Sequence, residues 1–185
     1  MNNDKRPSLK FFAAAMVGVM VAPLIMLLGP PIMVETMYFD KDHIVLMTPW
    51  SNFILLALAL VLIIINLFLL AWKRNKIMYI LTGFLIVASV ICAIQSTKNY
   101  TSIHDTGVIL VHYGKEQHYD WNDFEQIIYF YDSSYGGLGQ YEFTLKTGEK
   151  FKIEETGQFI NEVRNLIYRI VRENNIVYLE QPLEK

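Results

Sequence analysis

Pro49–Trp72 reads PWSNFILLALALVLIIINLFLLAW, and no Asp, Glu, Lys, Arg or His interrupts it. An α-helix needs about 20 apolar residues to cross the hydrocarbon core of a bilayer. Two runs of the same kind flank this one. Phe11–Val34 reads FFAAAMVGVMVAPLIMLLGPPIMV and Ile77–Gln95 reads IMYILTGFLIVASVICAIQ. Backbone amides must be paired inside lipid, so each run is expected as a transmembrane helix, over residues 11–34, 49–72 and 77–95. Lys5, Arg6 and Lys10 precede the first run, as in a signal peptide. The run outlasts a signal h-region, however, and closes on Gly29-Pro30-Pro31 instead of a small-residue cleavage site. It reads as a retained helix that the proline pair ends.

The flanking charges set an expected orientation. Lys and Arg collect on the cytoplasmic side of short loops. Lys5, Arg6 and Lys10 lie before the first helix, and Lys73, Arg74 and Lys76 lie between the second and third. The loop Glu35–Thr48 holds only Lys41, beside Glu35, Asp40 and Asp42. The N-terminus and the 73–76 turn are therefore expected in the cytoplasm, with residues 96–185 outside. A first run that fails to cross reverses the side of the tail.

Little inside the runs looks like transport machinery, which usually brings intramembrane charges or broken helices. Asn66 is the strongly polar side chain deep in the second run and is expected to hydrogen-bond between helices. Ala14, Gly18 and Ala22 recur every fourth residue, a spacing that allows close helix packing within the chain or a homo-oligomer seam.

Residues 96–185 have a different composition. The chain is 53% hydrophobic overall, but that figure averages a lipid-soluble half with a half resembling an ordinary small domain. Nine basic and fourteen acidic residues give this tail a net charge of −5. Nucleic-acid and phosphoinositide partners need a basic footprint, so neither is expected. Cys92 is the sole cysteine and lies in the third run, which excludes an intrachain disulfide.

The tail reads as β-rich. Gly107–Tyr113, Glu116–Trp121 and Gln126–Asp132 are candidate strands. Gln140–Lys146 and Lys150–Glu155 alternate apolar and polar residues around Thr147-Gly148, a hairpin signal. Phe159, Val163, Leu166, Ile167, Ile170 and Val171 then step by threes and fours, forming one apolar stripe on a helix over about residues 158–174. That helix is the natural lid for the sheet. Trp121-Asn122-Asp123-Phe124-Glu125-Gln126-Ile127, the YEFTLKTGEKFKI hairpin and the amphipathic helix together resemble bacterial pleckstrin-homology-like domains. Small membrane proteins of Gram-positive bacteria join such domains to transmembrane helices. The resemblance implies a membrane α plus α+β architecture: a transmembrane region over 1–95, then a small PH-like antiparallel β domain over 96–185. It carries no catalytic residues.

No phosphate loop, HExxH, GxSxG or Rossmann fingerprint is present. His104, His112 and His118 lie near Asp105 and Asp120, at spacings that match no familiar metal-ligand pattern. No metal, cofactor or catalytic residue is expected. Ser133–Gly139 is expected as a loop, with Tyr135, Gly136, Gly137 and Tyr141 as partner-contact candidates. The expected role is a non-enzymatic multi-pass membrane protein in a bacterial cell membrane. Its partners are the lipid bilayer and another membrane or envelope protein. A subunit of an oligomeric transport or permeability complex is the alternative.

Overall fold

The computed structural model describes residues 8–38, 43–72, 75–132, 139–155 and 161–183. The chain divides into a helical unit and a β unit, and the division does not follow the sequence order.

The helical unit contains α1 (Leu9–Tyr38), α2 (Trp50–Trp72) and α3 (Lys76–Gln95), all three long and apolar enough to cross a membrane. α2 packs against both others. α1 runs for 30 residues and passes through Pro30-Pro31, which were expected to end it. Proline fixes φ near the helical value, so the pair removes backbone donors without forbidding the geometry. Packing then prevails: Pro30 is buried, and a Cβ on Gly29 would lie 2.8 Å from Leu56 Cδ2.

Gly18 and Ala22 lie half-buried on this same face, where a Cβ on Gly18 would meet Ile64 at 3.3 Å. Ala14 is exposed, and Ala15, fully buried, takes its place. The packing stripe thus keeps Gly18 and Ala22 and departs from the expected one only at its first position.

The α2–α3 seam follows a seven-residue spacing. Asn52, Ala59 and Asn66 recur along α2, while Thr82, Ser89 and Ser96 recur along α3 and its cap. All six are buried. Ser89 Oγ donates to the Ala59 carbonyl at 2.9 Å. Asn52 Nδ2 donates to the Asn99 carbonyl at 2.6 Å, and Asn99 Nδ2 returns a bond to Asn52 Oδ1 at 3.1 Å. Counting from the Ser89–Ala59 contact, the antiparallel register brings Thr82 to the level of Asn66. Here the expected interhelical bond is missing: Asn66 Oδ1 and Thr82 Oγ1 are buried without a hydrogen-bond partner. Replacing a buried, unpartnered polar group by an apolar one of similar shape is close to neutral or stabilising. Asn66→Leu should therefore preserve or raise the resistance of the protein to thermal unfolding in detergent. Asn52→Leu should lower it by about 1–3 kcal/mol, because it removes two buried hydrogen bonds to Asn99.

Among the described residues the β unit holds eight strands. β1 is His43–Met47, β2 Tyr100–His104, β3 Gly107–His112 and β4 Lys115–Asp120. These form one antiparallel sheet in the order β1-β2-β3-β4. β5 (Phe124–Tyr131), β6 (Gln140–Leu145), β7 (Lys150–Glu154) and β8 (Val177–Pro182) form the second, in the order β7-β6-β5-β8. β8 runs parallel to β5, and the other pairs are antiparallel. α4 (Asn161–Glu173) precedes β8.

The expected hairpin and the core-facing stripe of the last helix are present. Val163, Leu166, Ile167 and Ile170 are buried against Ile103, Val108, Phe124, Ile127, Phe143 and Ile153. Each such side chain contributes roughly 1.5–3 kcal/mol on burial. Asn175 ends α4 with a left-handed φ of 53°. Phe159 and the expected start of this helix lie outside the described residues.

Three strands were not expected. β2 and β8 fall in polar segments. β1 comes from the loop between the first two apolar helices, so the boundary expected at residue 95 is corrected twice. Residues 43–47 belong to the β unit, and Ser96–Asn99 belong to the helical one. Met47, 3% exposed, packs in the β core beside Ile103 and Val108.

Candidate interaction site

The Trp121–Ile127 motif is a structural corner. A 3-10 turn, Trp121–Asp123, carries the chain from β4 in one sheet to β5 in the other. Trp121 is buried and its Nε1–H donates to the His104 carbonyl at 3.0 Å. Asp123 accepts from the Asp120 amide at 3.0 Å. Phe124 and Ile127 are core residues. Every side chain that gives the motif its pattern is spent on the fold.

Of the expected contact residues, Tyr135, Gly136 and Gly137 lie outside the described residues. Tyr141 does not offer a contact surface. It is 1% exposed, in the same inward row of β6 as Phe143 and Leu145, with its ring 4.6 Å from that of Tyr129. Burial pushes the hydroxyls of Tyr141 and Tyr129 to titrate above the ordinary tyrosine range, with the Glu155 charge acting in the same direction.

Beside these tyrosines is a buried ion network. The Glu155 side chain is 2% exposed and pairs with Arg164 at 2.7 Å. Glu155 also accepts from the Gly139 amide at 2.9 Å and the Tyr129 hydroxyl at 3.2 Å. The Glu155 amide in turn donates to the Gly139 carbonyl at 2.8 Å. The network ties β7, β6, β5 and α4 together with its carboxylate fully satisfied, which suits a structural clasp.

His104, His112 and His118 do not converge. His112 shares the strand face of Val108 and Leu110, whereas His118 pairs with Ile109 on the opposite face. His104 is buried, with Nε2 2.8 Å from Ser102 Oγ. Among the described residues no group of His, Cys, Asp and Glu is placed to hold a metal ion.

The sheet edges remain. On β7 the ladder bonds to β6 use Glu149 and Glu155, so by alternation the main chain of Lys150, Lys152 and Glu154 faces outward. Lysines there guard the edge. Both reach Glu142, at 2.9 and 3.6 Å. The hydrogen bond from Lys150 holds the Glu142 carboxyl below its ordinary range. A depressed carboxylate stabilises the fold above its unfolded pKa, and that contribution is lost as pH falls through the folded value. Acid unfolding between about pH 5 and 3 should therefore be shallower in Glu142→Gln than in the wild type.

β8 donates from Leu183 to Tyr131, so its even-numbered residues face outward, and Pro182 leaves that edge without an amide. β1 carries a register shift between His43 and Val45. β4 has neither a proline nor a register shift, and its one lysine, Lys115, turns its main chain toward β3: it pairs with β3 over six consecutive residues, and five of its six residues are exposed. No family model matches the chain, and no curated protein matches it.

Proposed function

We propose that this chain is a non-enzymatic multi-pass membrane protein of a bacterial cell membrane that presents a pleckstrin-homology-like interaction domain at the membrane surface. The observation that carries this is the pairing of β1 with β2. One strand precedes the α2–α3 hairpin and the other follows it, so the two can meet only if an even number of crossings separates them. That supports α2 and α3 crossing the bilayer together. The charge bias of the flanking residues supports a cytoplasmic N-terminus and an extracytoplasmic β unit. Two packed sheets closed by α4 support the pleckstrin-homology-like assignment.

Paired reporters fused after residue 185, one active only inside and one only outside, test the orientation. The external reporter is expected to respond; an active internal reporter reverses the assignment. Site-specific photocrosslinking from the β unit in native membranes tests the role, with a second membrane or envelope protein as the expected product. Recovery of the protein alone argues against it. A subunit of an oligomeric transport complex is the second reading, favoured by the unpartnered Asn66 and Thr82 between α2 and α3.

A further inference from the structure

We infer that β4 is a strand-addition site for an extended partner segment alternating basic and apolar residues. The inference rests on the interaction-domain reading above and names the surface and the chemistry. The Trp121 amide donates to the Thr106 carbonyl, which fixes the phase of the β3–β4 ladder. Lys115, Gln117 and Tyr119 therefore turn their main chain toward β3, and Glu116, His118 and Asp120 turn theirs to the open side. Asp123 occupies the Asp120 amide. The amides and carbonyls of Glu116 and His118, with the Asp120 carbonyl, make up the free edge. An added strand bonds to such an edge through its main chain and is selected through alternate side chains.

The side chains define those alternate positions. One row of β4 carries Glu116, His118 and Asp120, all exposed. His118 and Glu116 lie 3.5 Å apart with side chains 64% and 56% exposed, so both remain open to a neighbour. Opposite charges on adjacent strands stabilise the pairing and like charges oppose it. The partner residues on this side are therefore Lys or Arg. The other row carries Tyr119, half-buried, with its ring stacked on Phe151 at 5.3 Å. An apolar side chain of the partner extends that stack. The net charge of −5 over residues 96–185 adds long-range attraction for a basic segment. The other edges lack this combination, because lysines line β7, Pro182 interrupts β8 and β1 is out of register.

The test uses the full-length protein in nanodiscs of zwitterionic lipid. Its probes are two fluorescent capped peptides, one alternating Lys and Val and one alternating Glu and Val. Binding is followed by anisotropy, and protection of the Glu116 and His118 amides by hydrogen exchange. The Lys peptide is expected to bind at least about tenfold more tightly than the Glu peptide and to slow exchange at those two amides. Glu116→Lys/Asp120→Lys, at exposed positions, should reverse the preference, and its unfolding temperature checks the fold. Equal binding of both peptides, or binding without amide protection, overturns the inference. Slow exchange at these amides in the peptide-free protein, lost on dilution, assigns the edge to a second copy and overturns it too. If photocrosslinking still captures a partner in the double variant, the β4 assignment fails while the interaction-domain reading stands. If the wild type captures none, that reading fails on its own.

Discussion

Residues 96–185 expressed alone are expected to aggregate, whereas residues 43–47 joined to residues 100–183 through a short turn should fold as a soluble β unit. The pairing of Met47 with Thr101 places the end of β1 beside the start of β2. A turn of two to four residues is the ordinary way to join such ends. Without β1, the β2 edge lies open beside Ile103, which is fully buried in the intact unit, and an open apolar edge recruits other chains. Losing Met47 from the core alone costs about 2–5 kcal/mol, a large part of the 5–15 kcal/mol typical of a domain. Size-exclusion chromatography and amide dispersion in NMR spectra distinguish the two polypeptides. A monomeric, well-dispersed 96–185 fragment would show that β1 is dispensable.

The second large effect is expected at the Glu155 clasp, and it is asymmetric. Arg164→Ala leaves a nearly fully buried carboxylate with only the Gly139 amide and the Tyr129 hydroxyl, and should cost about 3–5 kcal/mol near neutral pH. Glu155→Gln leaves an arginine whose side chain is 41% exposed and can hydrate. It should cost about 1–3 kcal/mol. Denaturant unfolding of the full chain near neutral pH measures both. Equal costs would mean that the ion pair contributes little beyond its hydrogen bonds.

Much of the architecture was legible because its signals are local. The apolar runs declare themselves by length, the Thr147-Gly148 hairpin by alternation, and α4 by the spacing from Val163 to Ile170. β1 was not legible, because HIVLM is short and its partner lies beyond two long helices. β2, YTSIH, is half polar, since Ser102 and His104 bond to each other on the sheet. β8 ends in Pro182 and was hidden behind the stop signal at Asn174-Asn175. Tyr141 was misjudged as a contact residue because its nearness to the glycine-rich segment outweighed its place in the inward row with Phe143 and Leu145. The seven-residue polar spacing on α2 and α3 was present in the sequence but becomes visible only when both helices are set antiparallel. The β4 edge could not be ranked among edges until the strand order was known.

The placement of β1 also imposes an order on biogenesis. The ribosome releases β1 before the α2–α3 hairpin and β2 after it, so the first sheet cannot assemble until both helices have been made. Long-range pairing of this kind is slow and leaves unpaired strands exposed meanwhile. With α2 and α3 crossing together as proposed, a chain in which only one of them inserts would hold β1 and β2 on opposite faces of the bilayer, and its β unit could not close. Half-inserted chains of that kind would stay unfolded and open to proteolysis.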